Sequence, residues 1–290
     1  MELTRNELDC FRRYKEIIDP WDDFVESLHR RIQSCLWVNT LKTSVQELQE
    51  QLQREGIFCR PVSWCEQAFH WESDHVRMGK TMALHAGLYH LQEEVSMISG
   101  YVLDVQPGED VLDLCAAPGS KTAQFGVAMQ NRGTLIANDR NYGRLRALRR
   151  VLERMGIMNV SVTVEDGSNF PHEFLFDRVM VDVPCSCEGT TRKNPAIFKR
   201  LRKMHWDALG GVQQALLRKA IHLCKSGGRI VYSTCTYAPE ENECVVDAVL
   251  RTFPSGSLRV VPLTISGLQR SPGLTRWQKR RFIPILKDTA

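Results

Sequence analysis

Two short segments of this 290-residue chain carry residues that could do covalent chemistry. VDVPCSCEGTTRKNP, beginning at Val181, sets Cys185 and Cys187 just past a strand-like run, beside Asp182 and Pro184. YSTCTYAPEENE, beginning at Tyr232, sets Cys235 just past another. A thiolate is a strong nucleophile, so a thiol at the exposed end of a strand is a candidate for covalent catalysis. A buried free cysteine packs as a small hydrophobe and has no further role. Position separates the two readings. Cys185 and Cys235 lie at the carboxyl ends of strands expected to be neighbours, whereas Cys10, Cys35, Cys59, Cys65, Cys115, Cys224 and Cys244 have no such placement and read as structural thiols.

The elements that must position these thiols are legible from about Val111 onward. VLDL, TLIAND, VSVTVED, FDRVMVDVP and GGRIVYSTC are short, nearly continuous apolar runs alternating with helical patterns. That alternation marks a doubly wound α/β sheet whose strands are buried on both faces. Leu145, Leu148, Leu152 and Met155 recur at helical spacing as a core stripe, with Arg144, Arg146, Arg149 and Arg150 on other faces. Upstream, a strand over residues 36–39, a helix from near Ser44 to Gly56 and a further strand predict a small α+β unit. The segment GLYHLQEEVSMISGYVLDVQPGED is expected to supply a helix before the Pro107-Gly108 turn, and EENE at Glu240 to begin a helix whose acids serve only its N-terminus.

Composition narrows the function classes. No apolar run is long enough to span a bilayer, and the N-terminus lacks the features of a signal peptide, so a cytoplasmic protein without membrane association is expected. Ten cysteines in such a chain are reduced thiols. No C-x-x-C pair occurs, and Cys185 and Cys187 alone are too close in sequence to form a zinc knuckle, so no metal site is expected. The net charge of +4 permits a nucleic-acid partner without requiring one. Its distribution is more pointed: Arg192, Lys193, Lys199, Arg200, Arg202 and Lys203 form one acid-free cluster, and Arg276, Lys279, Arg280 and Arg281 surround Trp277 in another.

VLDLCAAPGSKT reads as strand, small-residue turn and helix. Ala116, Ala117 and Gly119 let a ligand approach the backbone, and the helix N-terminus offers unpaired N–H groups to a negative charge. The spacing matches neither a dinucleotide fingerprint nor a P-loop. Asp139, Asp166 and Asp182 fall at successive strand ends, where one could hold ribose hydroxyls and another an adenine amino group. Each alone is an ordinary cap or turn residue; the three together point to a nucleoside ligand.

The ordered set CAAPGSK, ANDR, EDGSNF, DVPCSCEGTTRKNP and GGRIVYSTCTYAPEENE resembles the Sun family of S-adenosylmethionine-dependent RNA cytosine-5 methyltransferases. LWVNTLKTS and LYHLQEEVSMI extend the resemblance, which spans residues 36–253 and favours the bacterial branch acting on 16S ribosomal RNA. It implies a Rossmann-like methyltransferase sheet over residues 101–290 behind an N-terminal α+β RNA-binding or accessory region over residues 1–100, in a monomer. It implies that S-adenosylmethionine is held by Cys115, Ala116, Ala117, Pro118, Gly119, Ser120 and Lys121 together with Asp139, Asp166 and Asp182. Cys235 matches the nucleophile that adds to cytosine C6, and Cys185 the cysteine linked with product release. Asp182 would serve the N3 side of the base and Lys121 the electrostatics of the site.

Adding a thiolate at C6 makes the ring enamine-like, so that C5 can take up a methyl group; loss of the C5 proton then expels the sulfur. The DNA enzymes instead attack with the cysteine of a Pro-Cys pair, here Cys185. The base must be unstacked to expose C5 and C6, and because Arg192, Lys193, Asn194, Lys199 and Arg200 follow directly on the Cys185 loop, they are expected to flank the RNA entrance. Transfer RNA in place of ribosomal RNA, or RNA binding without turnover, are the alternatives. Two departures stand out. Cys187 occupies a place where family members commonly carry glycine. The final Gly-Phe-Phe-containing strand is not recognisable, so the domain is expected to lack its last strand unless FIPIL supplies it, with reduced stability or activity if an edge is missing.

Overall fold

The structure, a computed structural model, describes residues 4–73, 75–201, 208–268 and 270–283. Two short helices, α1 (Arg5–Leu8) and α2 (Trp21–His29), precede an antiparallel sheet. That sheet contains β1 (Cys35–Val38), β2 (Phe58–Val62), β3 (Cys65–Glu72) and β4 (Tyr89–Leu91) in the order β2-β3-β1-β4. Helix α3 (Val45–Arg54) links β1 to β2, and α4 (Met82–His85) precedes β4. Ser44 and Glu47 close a reciprocal capping box that starts α3, while Leu48 and Leu52 bury its apolar stripe.

Helix α5 (Glu94–Leu103) leads into a five-stranded parallel sheet. Its strands are β5 (Asp110–Asp113), β6 (Thr134–Asn138), β7 (Val160–Thr163), β8 (Phe176–Asp182) and β9 (Cys224–Ser233), in the order β7-β6-β5-β8-β9. The crossovers carry α6 (Ser120–Ala128), α7 (Tyr142–Met155), α8 (Ile197–Leu201) and α9 (Gly210–Leu223), and α10 (Glu243–Leu250) follows β9. All five expected strands are present, and the Leu145, Leu148, Leu152 and Met155 stripe of α7 is buried. GLYHLQEEVSMISGYVLDVQPGED supplies its helix as α5, which begins at Glu94; just before it, Tyr89–Leu91 is strand β4, paired with β1. His90 and Gln92 are buried there, because the sheet rather than a helix face covers them.

The small sheet is clamped onto the large one at the carboxyl end of α7. Asn39, fully buried, donates from Nδ2 to the carbonyls of Gly87 and Met155 at 2.8 Å each and accepts from Leu41 N–H. Lys42 Nζ donates to the carbonyls of Ala86 and Arg154, both at 2.8 Å, a cation set on the negative end of the helix. Gly87 must be glycine at this junction: its φ is +74°, and a Cβ would lie 1.9 Å from the Arg154 carbonyl oxygen.

Among the described residues the large sheet ends at β9. No further strand joins that sheet among the described residues; a hairpin of β10 (Arg276–Trp277) and β11 (Arg280–Arg281) packs Trp277 and Phe282 against Phe11 and Tyr14. Ile283 N–H donates to Asp247 Oδ1, and the remainder of FIPIL lies outside the described residues. No helix among the described residues is long and apolar enough to cross a membrane.

At the end of β5, Asp113 is buried and accepts a 2.6 Å bond from the Thr122 hydroxyl of α6. Burial pushes its carboxyl up from 3.8 to about 7, the neighbouring Asp182 carboxylate adds to this, and Thr122 opposes it. The folded protein therefore holds this proton more tightly than the unfolded chain. Its contribution to stability is present below about pH 4 and falls as pH rises towards about 7, by an amount on the order of 4 kcal/mol.

Two outcomes follow. Asn39→Ala leaves buried carbonyls without a donor and should lower the unfolding free energy by about 2–4 kcal/mol in urea titrations; an unchanged midpoint contradicts the clamp. Asp113→Asn should flatten the loss of stability between pH 4 and pH 7 relative to the unsubstituted protein, and parallel pH profiles would refute the shifted carboxyl.

Candidate active site

The strand order reverses at β5, which has β6 on one side and β8 on the other, so the crevice past its carboxyl end is the natural ligand site. The turn from Cys115 to Gly119 fills that position. Ala116 and Ala117 are buried, and Gly119 caps α6 with φ 107°. A Cβ at Gly119 would stand 2.7 Å from Leu148 Cδ1, so helix packing as well as backbone conformation demands glycine. Asn138 laces the neighbouring strand ends: its amide donates to the Leu114 and Glu165 carbonyls, and its Oδ1 accepts from Thr163 Oγ1 and Glu165 N–H. The small sheet reaches this turn too. Arg154 donates to His90 Nδ1 at 2.7 Å, which leaves His90 Nε2 to donate to Ser120 Oγ at 2.9 Å. Burial, then the Arg154 charge, lowers His90 to about 4 and keeps it neutral.

The three strand-end acids sit where the sequence expectation put them, but in unequal circumstances. Asp139 is buried, accepts from the N–H groups of Ala117 (3.2 Å) and Asn141 (2.9 Å), and pairs with Arg144 at 3.1 Å. Asp166 is exposed and accepts from Ser168 N–H and Oγ through Oδ1; these hydrogen bonds hold its carboxyl below the usual range. Asp182 accepts from Ser233 Oγ at 2.6 Å and pairs with Lys121 Nζ at 2.7 Å. Lys121 thus ties the first turn of α6 to the end of β8.

The thiols converge. Strands β8 and β9 run parallel with Asp182 opposite Ser233, so the loops that follow leave the same edge side by side. Cys185 Sγ lies 3.3 Å from Cys235 Sγ and 3.9 Å from Cys187 Sγ, and Cys235 N–H donates to Cys185 Sγ at 3.4 Å. Cys235 is exposed at the mouth, whereas Cys185 is buried behind it. Contact among the three sulfurs shapes their ionisation. Hydrogen bonds from Cys185 and Cys235, aided by Arg200, draw the Cys187 thiol down. Its hydrogen bonds with Cys187 and Cys235, then burial, hold Cys185 up. Cys235 is pulled down by its bond with Cys185 but pushed up further by Cys187, by burial and by Asp182, reaching about 12. The trio accepts one negative charge and resists a second.

Sequence reasoning missed the buried acids that sew these loops together. Glu188, fully buried, accepts from Tyr14 Oη at 2.9 and 2.8 Å and from Thr236 Oγ1 at 2.7 Å; Thr236 in turn accepts from Ser186 Oγ at 2.5 Å. Glu241 accepts from Ser186 N–H at 3.0 Å and from Gln213 Nε2 at 2.8 Å. Glu240 accepts from Arg13 and from Trp277 Nε1. Glu240 and Glu241 are therefore not merely acids at a helix N-terminus. The clue in the sequence was a run of acids beside a thiol; their partners are 28 to 227 residues away.

The basic residues assigned to RNA are partly committed elsewhere. Arg192 donates to the Ser27 carbonyl at 3.0 Å, Lys193 pairs with Glu93, and Arg200 donates to the carbonyls of Cys185 and Ser186. Asn194 and Lys199 are exposed, and Arg202 and Lys203 lie outside the described residues. Trp277 is buried, stacked on Tyr14 with centroids 6.2 Å apart, so the second basic cluster surrounds a core residue rather than an open aromatic platform.

Residues 100–289 match the family 16S rRNA methyltransferase RsmB/F, and residues 10–94 match the N-terminal domain of 16S rRNA methyltransferase RsmF. The chain is similar to ribosomal RNA small subunit methyltransferase F of Escherichia coli O157:H7, with 36% identity over 251 residues, 84% of this chain and 52% of the relative. The corresponding protein of Aliivibrio salmonicida is 37% identical over 240 residues, 80% of this chain and 50% of the relative. The chain spans about half the length of these curated relatives. Among solved structures, a methyltransferase homolog protein from Pyrococcus horikoshii superimposes with a TM-score of 0.82 at 30% identity, covering 99% of this chain and 93% of that one. The parallel sheet with its small-residue turn, the paired thiol loops and these matches lead to one assignment: the chain belongs to the 16S rRNA methyltransferase RsmB/F family.

Proposed function

We propose that this chain transfers a methyl group from S-adenosylmethionine to C5 of a cytosine in 16S ribosomal RNA. The observation that carries the reading is the 3.3 Å approach of two thiols at the ends of adjacent parallel strands, next to Asp182 and its Lys121 partner. The cytosine-5 reaction asks for that arrangement: one sulfur to attack and a second group beside it to complete release.

The crevice suits the donor. Ala116, Ala117 and Gly119 put no bulky side chain into the Cys115–Lys121 turn, and Asp139, Asp166 and Asp182 offer acceptors along three strand ends. When bound, S-adenosylmethionine supplies an electrophilic methyl group. We assign the rest to residues of this chain. Cys235, the exposed thiol, gives up its proton and bonds to C6, pushing electron density onto C5. Asp182, oriented by Ser233 and charge-balanced by Lys121, stabilises the charge on the N3 side. Once C5 carries the methyl group its proton is removed, the electron pair re-forms the ring double bond, and the bond from Cys235 to C6 breaks. Cys185, buried behind Cys235, assists this release. Against the pull of its bond with Cys185, the neighbouring Cys187, burial and Asp182 hold the Cys235 thiol up, so its deprotonation accompanies substrate docking.

Asn194 and Lys199 stand exposed beside the thiol loops and are assigned to phosphate contact, with Arg192, Lys193 and Arg200 holding that surface in place. Residues 10–94, the part similar to the RsmF N-terminal domain, act with them as the RNA-binding accessory region. In this reading the chain acts as a monomer, on ribosomal RNA in the cytoplasm.

Transfer of labelled methyl to ribosomal RNA, with mapping of the new 5-methylcytosine, tests the assignment. Cys235→Ala should lower turnover by about three orders of magnitude or more and abolish the covalent RNA adduct. Cys185→Ala should make the adduct persist on denaturing gels. The reverse pattern would overturn the roles given to the two thiols, and no methyl transfer to any RNA would overturn the activity.

A further inference from the structure

We infer that Cys185, Cys187 and Cys235 together form a three-thiolate site for a thiophilic d10 cation of the Zn2+ class, and that its occupancy blocks the exposed thiol. The sulfurs of these residues all lie within 4.8 Å of one another, with two separations fixed at 3.3 and 3.9 Å. A zinc–sulfur bond of about 2.3 Å in tetrahedral geometry requires sulfurs about 3.8 Å apart, so small side-chain rotations bring the trio onto one ion. Three sulfurs from one chain leave the fourth position to solvent, on the side where Cys235 is exposed. Soft thiolates select such cations over harder ones.

Two further observations single out Cys187. Its backbone is left-handed, with φ 64° and ψ 26°, a conformation that costs a side-chain-bearing residue roughly 1–2 kcal/mol and that glycine adopts freely. Neither proposed catalytic role uses it, yet its sulfur is turned inward, donating to the Cys185 carbonyl at 3.3 Å. The strain is thus spent on placing a third sulfur beside the other two. Charge is accommodated as well: three thiolates on a divalent ion leave one net negative charge, and Arg200 donates to the carbonyls of Cys185 and Ser186 on the same loop. Binding takes up the ion and releases the remaining thiol protons to solvent. The expectation of no metal site rested on spacing along the chain; the fold adds Cys235 to the pair.

The site stands on geometry and does not depend on the methyl-transfer reading. The reduced 290-residue chain is titrated with Cd2+ as probe, following the ultraviolet thiolate-to-cadmium charge-transfer band, and Zn2+ is then measured by competition with a chromophoric chelator. One Cd2+ per chain should bind, and bound Cd2+ should protect Cys235 from alkylation by iodoacetamide until a chelator is added. Cys187→Gly, which also relieves the left-handed backbone, should keep the fold by circular dichroism and weaken Cd2+ binding at least about tenfold. Cys187→Ser serves as a second variant, with the same loss expected, and Cys59→Ala should bind as the unsubstituted chain does. Unchanged affinity in both Cys187 variants, absence of the band, or alkylation of Cys235 undiminished by bound Cd2+ would overturn the inference. None of these readouts requires methyl transfer, so failure of the metal site and failure of the proposed activity are separate results.

Discussion

The parallel pairing of β8 with β9 is the constraint on which the site depends. Val179 through Asp182 register against Ile230 through Ser233, and the alignment is held past the strand ends by Ser233 Oγ on Asp182 and by Val183 N–H on the Ser233 carbonyl. Parallel strands release their following loops from the same edge of the sheet. Two cysteines 50 residues apart in sequence therefore arrive in van der Waals contact. A slip of one residue in this register would turn the alternating side chains to the opposite faces and separate the pair.

Loops that leave a sheet are free to splay, and here buried carboxylates prevent it. Glu188 and Glu241 bind groups on the opposing loop or on the neighbouring helix, so each thiol loop is fastened to its partner by charge-assisted hydrogen bonds. The N-terminal segment is part of this fastening. Tyr14 bonds to Glu188 and Arg13 to Glu240, and Phe11 packs edge-on to Tyr237. A region read from sequence as accessory therefore fastens the thiol loops directly, while Asn39, Lys42 and His90 join the small sheet to α6 and α7 on another side.

Turn positions in such a crevice must satisfy two demands at once. Gly119 shows the pattern: the turn needs its left-handed backbone and α7 needs the absent side chain. Cys187 shows the opposite choice, accepting backbone strain to add a sulfur beside Cys185. Strain of this kind persists only where the surroundings hold it, and the single 3-10 turn over Glu188–Thr190, closed by Thr190 N–H on the Cys187 carbonyl, does so.

The sequence by itself determined the alternation of strands and helices, the small-residue turn at Cys115–Gly119, the strand-end acids, and the thiols Cys185 and Cys235, because burial on both faces and turn chemistry leave local signatures in residue type. It also carried the family. Only the tertiary structure decided that Glu240 and Glu241 brace the thiol loops, that Arg192, Lys193 and Arg200 are partnered within the chain, that Tyr89–Leu91 is a strand, and that Trp277 packs inward on Tyr14. Each of these depends on a partner distant in sequence, and pairing at a distance leaves no periodicity to read. The third thiol belongs with them: Cys187 is visible as a residue, but its nearness to Cys235 exists only once β8 and β9 lie side by side.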